Sequence, residues 1–417
     1  LLSSLYVFYT TFLKLLKMTE IILAIFFITV LLLFLSSGVW VALSMIGVSA
    51  IAMELFTSRP VGDAMATTIW GMSSSWTLTA LPLFVWMGEI LFRTKLSENL
   101  FEGLSPWMQK LPGGLIHVNV VGCAIFAAIS GSSAATVATV GKMSIPELRK
   151  RNYPEKILLG SLAGSGTLGL LIPPSIILII YGVTVQESIA KLFIAGIFPG
   201  IMIAIIFMTY VVIWSLMNKN KMPVLTEEIP FIEKIKKSGK LIPVILLIVS
   251  VIGSIYSGVA TATEAASLGV VGALILSFFQ KSLTIDSFKK SLLGATKTSC
   301  MIGFILAGST FLSLAMGFTG LPRNLAIWID TMQLSPYILI IVLMIFYIIL
   351  GMFLDGISAV VLTMAIIEPM IRQAGFDMIW FGIFLVVVVE MAQITPPVGF
   401  NLFVLQGMAE KDMGYIA

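Results

Sequence analysis

Charged residues are scarce in this chain of 417 residues, and histidine and cysteine are almost absent. Asp, Glu, Lys and Arg make up 11% of the sequence, whereas about a quarter is usual in soluble proteins. The one histidine and the two cysteines, Cys123 and Cys300, show no metal-ligand spacing, so no structural metal centre is predicted. No P-loop motif is present, which argues against direct drive by ATP.

Apolar residues are abundant instead. They make up 58% of the sequence, and the mean hydropathy is +1.05. Runs such as 194–216 and 337–350 approach or reach the roughly 20 residues that a helix needs to cross a bilayer. The sequence therefore predicts an all-α polytopic membrane protein surrounded by a lipid bilayer.

Lys and Arg are concentrated in a few places. Of the 25 such residues, 18 fall in the stretches 93–110, 142–156, 219–240 and 281–297. The positive-inside rule places these four loops on the cytoplasmic side. Each flanks an apolar span and lacks interleaved aromatic residues, so no nucleic-acid partner is predicted.

A short polar motif occurs twice, about half a chain apart. Residues 130–134 (SGSSA) precede Pro173-Pro174, and residues 355–359 (DGISA) precede Pro396-Pro397, and the first proline follows the glycine by 42 and 40 positions. Gly, Ser and Pro interrupt helices, and a duplicated interruption inside apolar segments indicates a transporter binding site at the membrane midplane.

The two halves match at an offset of about 220 to 225 residues, the test for an internal repeat, but their charges do not match. The basic stretch 142–156 corresponds to 368–377, whose only cation is Arg372, and the weakly charged 57–68 corresponds to the basic stretch 281–297. Equivalent loops therefore lie on opposite sides, which predicts an inverted-topology repeat. The predicted parts are a first repeat at 18–217, a cytoplasmic linker at 218–240 and a second repeat at 241–417.

Each repeat is predicted to contain a re-entrant helical hairpin and a broken helix. The hairpins are expected at 115–146 and 337–372, with tips at 130–133 and near 355–358, and the broken helices at 156–182 and 378–407. Spanning helices are expected at 20–36, 39–56, 72–92 and 193–217, and a helix lying in the interface at 94–110.

The two ends of the chain each give a further prediction. The second repeat has no partner for the helix at 193–217, which predicts that the natural protein continues with a last spanning helix. The apolar residues 1–17 are interpreted as the tail of a connecting helix from a fused upstream subunit, with a non-native leader as the alternative.

The residues around the interruptions resemble a known transporter family. Five segments carry the resemblance: 131–136 (GSSAAT), 164–169 (GSGTLG), 171–175 (LIPPS), 263–266 (TEAA) and 394–397 (ITPP). They are similar to the large membrane subunit of tripartite ATP-independent periplasmic (TRAP) transporters, and the resemblance extends from Met18 to the end.

The resemblance implies import of an organic acid, driven by a sodium gradient, across a bacterial inner membrane. The implied partners are an extracytoplasmic solute-binding protein and a small four-helix membrane subunit, and the implied movement is an elevator in which a transport domain moves against a scaffold. The interpretation of 1–17 as a fused remnant favours sialic acid, and C4-dicarboxylates are the other substrate class. A stand-alone sodium/carboxylate symporter without a binding protein is the alternative.

Two other classes are disfavoured by the sequence. An intramembrane aspartyl protease built on Asp355 needs a second carboxylate, and no second Asp lies within a predicted span, so no enzyme is predicted. A channel does not fit two hairpins of opposite orientation.

Two or more sodium ions are expected at the interruptions, because a broken helix leaves backbone carbonyls without intrahelical partners. The first site is predicted to join the first tip to the first broken helix, and the second to join the second tip to the second. Gly and Ser also serve as close-packing positions in membrane helices, so the clusters support the prediction better than any single residue does. The predicted sodium ligands are Ser130, Gly131, Ser133, Gly164, Gly166 and Thr167, then Gly356, Ser358, Thr395 and Gly399.

An anionic substrate is expected between the tips, where helix N-termini present free N–H groups and positive dipole ends. Asp355 would repel an acid, so it is interpreted as a helix N-cap in preference to a cation ligand. Glu264 and Glu390 are buried candidates for either cation coordination or a structural hydrogen bond, and His117 is expected to pack at a hairpin end. The predicted substrate residues are Ser132, Ser133, Thr136, Pro173, Pro174, Asp355, Ser358, Pro396 and Pro397.

Overall fold

The computed structural model describes residues 23, 25–94, 96–223, 229–324, 327, 335–397 and 399–416. Every regular element in these residues is a helix, which confirms the predicted all-α class. Residues 1–17, the predicted tail of a connecting helix, lie outside the described residues.

The first half of the chain contains ten helices within the described residues. They are α1 Ile25–Ser36, α2 Val41–Phe56, α3 Val61–Ser73, α4 Ala80–Phe92, α5 Leu96–Met108, α6 Ile116–Ser130, α7 Ser133–Lys150, α8 Glu155–Gly166, α9 Ile176–Thr184 and α10 Ile189–Met217. Short 3₁₀ turns lie at Trp76–Thr79, Thr167–Leu170 and Lys219–Lys221.

The second half continues the series. Its described helices are α11 Phe231–Ser238, α12 Ile242–Tyr256, α13 Ala262–Phe279, α14 Ile285–Thr319, α15 Pro336–Gly351, α16 Gly356–Gln373, α17 Met378–Gln393, α18 Phe400–Ala409 and α19 Met413–Ile416.

Several helices are long and apolar enough to cross a membrane. Among the described residues these are α10, α13, α14 and α16, and two bent pairs reach the same length: α3 with the segment Trp76–Phe92, and α11 with α12. Large apolar side chains on α10 point outward; Phe198, for example, is 75% exposed. An apolar exposed surface of this kind suits contact with lipid, which supports a multi-pass membrane protein.

The prediction around residues 57–92 is wrong in its details. A loop was expected at 57–68 and a helix from 72, but α3 already begins at Val61, after Pro60. A proline just before the first turn suits a helix start, and Asp63 in that turn interacts favourably with the helix dipole. A prediction based on hydropathy missed this helix because α3 contains polar residues. The basic stretch 281–297 is likewise largely helical and not a loop.

The chain divides into two compact units, and each takes segments from both predicted repeats. One unit comprises the chain up to Ser75, Met301–Ile340 and Val360–Asp377; the other comprises Trp76–Cys300, Ile341–Ala359 and Met378–Ala417. Both predicted hairpin tips and both predicted broken helices lie in the second of these, which we call the tip unit.

The first unit has its own apolar core. Met53, Phe311 and Ala315 are fully buried there, and Val61 and Met65 of α3 pack against them. A buried hydroxyl bond supports this packing, because Ser309 Oγ donates to the carbonyl oxygen of Val361 at 2.7 Å.

In the tip unit, the helix expected in the membrane interface is covered by protein on its apolar side. Leu100 and Leu104 of α5 are buried, and α5 packs against α6, α7 and α11. Trp107 Nε1 donates to Ser238 Oγ at 2.7 Å, and the ammonium of Lys234 lies 5.8 Å from the centre of the Trp107 ring. The short helix α11, within the linker predicted at 218–240, therefore has a defined place on α5.

Candidate functional site

The first hairpin tip is a two-residue turn between α6 and α7. Gly131 ends α6 in the left-handed conformation, with φ of 59°, which favours glycine. Ser132 then caps α7, because its hydroxyl accepts from the backbone N–H of Ala135 at 3.5 Å. The tip thus lies where the sequence predicts it.

Hydroxyl groups are organised around this tip. Thr136 Oγ1 donates to the carbonyl oxygen of Ser132 at 2.8 Å and lies 2.9 Å from Ser130 Oγ. Either hydroxyl can donate to the other, and both also reach the carbonyl oxygen of Ser132. Ser130, Ser133 and Thr136 are all buried, so the structure places three hydroxyls in a shielded position.

The first broken helix is interrupted for several residues in its middle. Helix α8 ends at Gly166, a 3₁₀ turn occupies Thr167–Leu170, and α9 begins at Ile176. Ser175 caps α9 by accepting from the N–H of Leu178 at 3.4 Å, and its hydroxyl donates to the carbonyl of Leu170. The peptide bonds Pro173-Pro174 and Pro396-Pro397 are both cis.

The first tip and the first break pack tightly together. The N–H of Ile176 donates to the carbonyl oxygen of Gly131 at 3.2 Å, and a Cβ added to Gly131 would lie 2.6 Å from the carbonyl oxygen of Pro174. A Cβ added to Gly169 would lie 2.6 Å from the carbonyl oxygen of Ser132. Glycine is therefore needed on both sides of this contact.

Most of the residues predicted for the first sodium site share this neighbourhood. Gly166 lies against the first tip's helix, since a Cβ there would meet Val137 Cγ2. Thr167 Oγ1 donates to the carbonyl oxygen of Gly164 at 2.8 Å. Gly164 itself faces Phe207 of α10 and not the tip. The predicted ligand atom of Gly164 is its carbonyl oxygen, which accepts from Thr167, and its role in a sodium site stays a prediction.

The second tip differs from the first in its capping residue. Asp355 Oδ2 accepts from the N–H of Ser358 at 3.1 Å and so caps α16, which confirms the interpretation of this carboxylate as an N-cap. A Cβ added to Gly356 would lie 2.7 Å from Val389 Cγ1 and 3.8 Å from Gln393 Nε2, both on α17. The second tip thus rests on the first half of the second broken helix.

The second break separates α17 from α18. Thr395 Oγ1 donates to the carbonyl oxygen of Met391 at 2.6 Å, and Gly399 precedes α18 with φ of 52°. The two proline pairs differ in environment, because Pro173 and Pro174 are buried whereas Pro396 and Pro397 are exposed. The two interruptions are therefore similar in position but not equivalent in burial.

Both tips contact the same short helix. Ile176 at the start of α9 donates its N–H to the first tip. The Cδ1 atom of the next residue, Ile177, would lie 3.3 Å from a Cβ added to Gly356 of the second tip. The structure thus brings together the two interruptions that the sequence predicts as a pair.

Three buried side-chain amides near the breaks, Asn119, Gln393 and Asn401, were not predicted from the sequence. Asn119 Nδ2 donates to Ser161 Oγ at 3.0 Å, and Ser165 Oγ donates to the carbonyl of Ser161, so α6 is joined to α8. On the second broken helix, Gln393 and Asn401 are buried with side-chain atoms that have no partner among the described residues. The available signal was the rarity of side-chain amides in apolar segments.

Three further predictions concern single titratable residues. Glu264 was expected to be buried but is exposed, and it forms a capping box with Thr261 at the start of α13. Glu390 is buried as expected, and its Oε1 has no partner among the described residues. His117 is buried at the start of α6, with Nε2 2.8 Å from the carbonyl oxygen of Pro112, which confirms its packing at a hairpin end.

Comparison with known proteins identifies the family. Residues 28–416 match the family described as "Tripartite ATP-independent periplasmic transporter, DctM component". The chain belongs to the TRAP transporter family, as a large permease subunit. A C4-dicarboxylate TRAP transporter large permease protein, DctM of Pseudomonas aeruginosa, is 34% identical over 367 residues, which cover 88% of this chain and 85% of that protein.

Two more similarities place the TRAP subunit in context. The isethionate TRAP transporter permease protein DctMQ of Oleidesulfovibrio alaskensis is 32% identical, over 91% of this chain and 60% of that protein. The crystal structure of the Alcanivorax borkumensis YdaH transporter matches with a TM-score of 0.58 and 12% identity, covering 93% of each chain. At this identity the second similarity concerns the fold alone.

Proposed function

We propose that this TRAP subunit imports an organic acid together with sodium ions, two or more per cycle. The observation that best supports the proposal is the meeting of both tips at adjacent residues of α9, which gathers free helix ends and hydroxyls at one place. Sodium prefers oxygen ligands, and interrupted helices offer carbonyl oxygens without a large desolvation cost. The acid would be held mainly by the N-terminus of α7, because the Asp355 carboxylate already caps α16.

The sodium sites are proposed at the two breaks. The first would use Ser130, Gly131 and Ser133 with Gly166 and Thr167. The second would use the tip residues Gly356 and Ser358 with residues that follow α17. Its remaining proposed ligands are Thr395 and Gly399.

The family suggests the rest of the proposal. A solute-binding protein would deliver the acid outside the bacterial inner membrane, and a small four-helix membrane subunit would associate with this chain. All candidate site residues lie in the tip unit, which supports that unit as the transport domain of an elevator mechanism. Sialic acid and C4-dicarboxylates are the proposed substrate classes.

The deciding experiment is uptake into proteoliposomes. We expect accumulation of at least one acid from a panel of sialic acid, C4-dicarboxylates and isethionate, dependent on an inward sodium gradient and on the binding protein. Replacement of sodium by potassium should abolish uptake. Sodium-driven uptake without any soluble protein would instead support a stand-alone symporter, and uptake that is equal in potassium would refute the sodium sites.

Thr395→Ala and Ser133→Ala test the sodium ligands individually. Each should raise the half-saturating sodium concentration by about tenfold, the effect of losing one oxygen ligand. Thr209→Ala is a matched control, because Thr209 Oγ1 donates to the carbonyl oxygen of Ile205 at 2.7 Å with the same helical spacing, on an exposed part of α10. An unchanged sodium dependence in both variants would remove these two residues from the sites.

A further inference from the structure

Gln393 is a buried side-chain amide at the last residue of α17, directly before the second break. It is 1% exposed, and its Nε2 has no hydrogen-bond partner among the residues that the structure describes. Water normally satisfies such a group when the protein does not, and burial without a partner is unfavourable. A ligand that enters the site during transport would supply the missing partner.

The amide is directed at the second hairpin tip. A Cβ added to Gly356 would lie 3.8 Å from Gln393 Nε2, and Val389, one helical turn earlier on α17, contacts the same glycine. Gly356 is the first residue of α16, an 18-residue helix whose N-terminus favours negative charge. The Asp355 carboxylate caps this N-terminus, so the neutral Gln393 amide is the donor without a partner at this tip.

At the first break, the amide of Asn119 donates to Leu158 and Ser161 of α8, and the position that corresponds to Gln393 carries no amide. When Pro173-Pro174 is aligned with Pro396-Pro397, the position of Gln393 corresponds to Leu170, which is buried. Backbone carbonyls and hydroxyls occur at both breaks, as expected for two similar cation sites. An amide donor without a partner at this position of one break alone suits an asymmetric ligand, and the organic acid is the asymmetric ligand of the proposed function.

We propose that Gln393 is a specificity-determining residue whose Nε2 donates a hydrogen bond to an oxygen of the transported acid beside the second tip. This inference rests on the proposed function. The amide is neutral, so it distinguishes acids by the presence and position of an oxygen and leaves charge recognition mainly to the N-terminus of α7. It therefore separates acids of the same charge that differ in one oxygen-bearing group.

Gln393→Met tests the inference, because methionine has a similar length but no amide. The acid with the lowest KM in the uptake panel is compared with analogues that each lack one of its oxygen atoms. We expect the KM of the first acid to rise about tenfold, the effect of one lost hydrogen bond. The half-saturating sodium concentration should stay unchanged. The KM of the analogue that lacks the oxygen bound by Gln393 should rise less than the KM of the parent acid.

Two variants keep the test decisive. Gln406→Met removes a half-buried amide within α18, about two helical turns beyond the second break, and should leave the KM unchanged. Gln393→Glu keeps the size of the side chain and should weaken the acid further by charge repulsion, which gives a second measurement if the methionine variant does not fold.

Three outcomes would overturn the inference. They are an unchanged KM in both Gln393 variants, an equal rise in KM for every acid and analogue, or a parallel rise in the half-saturating sodium concentration. The last result would make Gln393 a cation ligand. If the unaltered protein showed no sodium-driven uptake of any acid, the proposed function itself would fail, which is a separate result.

Discussion

Gly131→Ala is expected to reduce sodium-driven uptake by about a hundredfold, the scale of loss when a positioned group is displaced by about 1 Å. Two effects combine at this residue. Alanine is strained at φ of 59°, and its Cβ would approach the carbonyl oxygen of Pro174 to 2.6 Å. The tip must then withdraw from the break, and the hydrogen bond from Ile176 to Gly131 is lost. Initial uptake rates in proteoliposomes measure the effect.

Gly258→Ala distinguishes the effect of backbone strain at a left-handed glycine from the effect of displacing the first tip. Gly258 has φ of 70° and lies in the same unit, but no atom lies within 4 Å of an added Cβ. This control should cost about 1–2 kcal/mol of stability, as for any alanine in the left-handed region, and leave uptake nearly intact. If both variants transport equally well, the contact between the first tip and the first break has no role in transport.

Gly169→Ala is expected to raise the half-saturating sodium concentration by about tenfold, because ion ligands must be held within about 0.5 Å of their working geometry. An added Cβ would lie 2.6 Å from the carbonyl oxygen of Ser132 and 2.7 Å from Thr136 Oγ1. The backbone atom cannot move aside without shifting the cap of α7. The measurement is the sodium dependence of uptake at a saturating acid concentration.

Gly160→Ala is the matched control for this variant. Gly160 lies in α8, on the same broken helix, and no atom lies within 4 Å of an added Cβ. Alanine is preferred over glycine inside a helix, so this change should be neutral or stabilise the protein by about 0.5–1 kcal/mol. A sodium dependence that is unaltered in Gly169→Ala would argue against a first sodium site at this tip.

The positions of the interruptions could be predicted because the residues that cause them are local signals. Gly131, Pro173 and Pro396 act on their own backbone, through a left-handed turn or a missing N–H, so their effect does not depend on distant contacts. The cap formed by Asp355 is local in the same way. The structure accordingly has breaks at the predicted places.

Other features depend on packing between distant segments and were not visible in the sequence. The helix α3 is short and partly polar, and its place is set by burial of Val61 and Met65 against Phe311, some 250 residues away. The contact between Gln393 and the second tip joins different helices, and nothing in the local sequence marks it. Glu264 looked like a buried charge because its neighbours are apolar, yet it caps an exposed helix start.

A carrier driven by an ion gradient loses efficiency when ions slip across without cargo. Ile176 and Ile177 are consecutive residues of a nine-residue helix, and each contacts a different tip. A displacement of this helix would disturb both tips at once, so we expect neither tip to move alone. Such a shared support would keep the ratio of transported ions to transported acid constant.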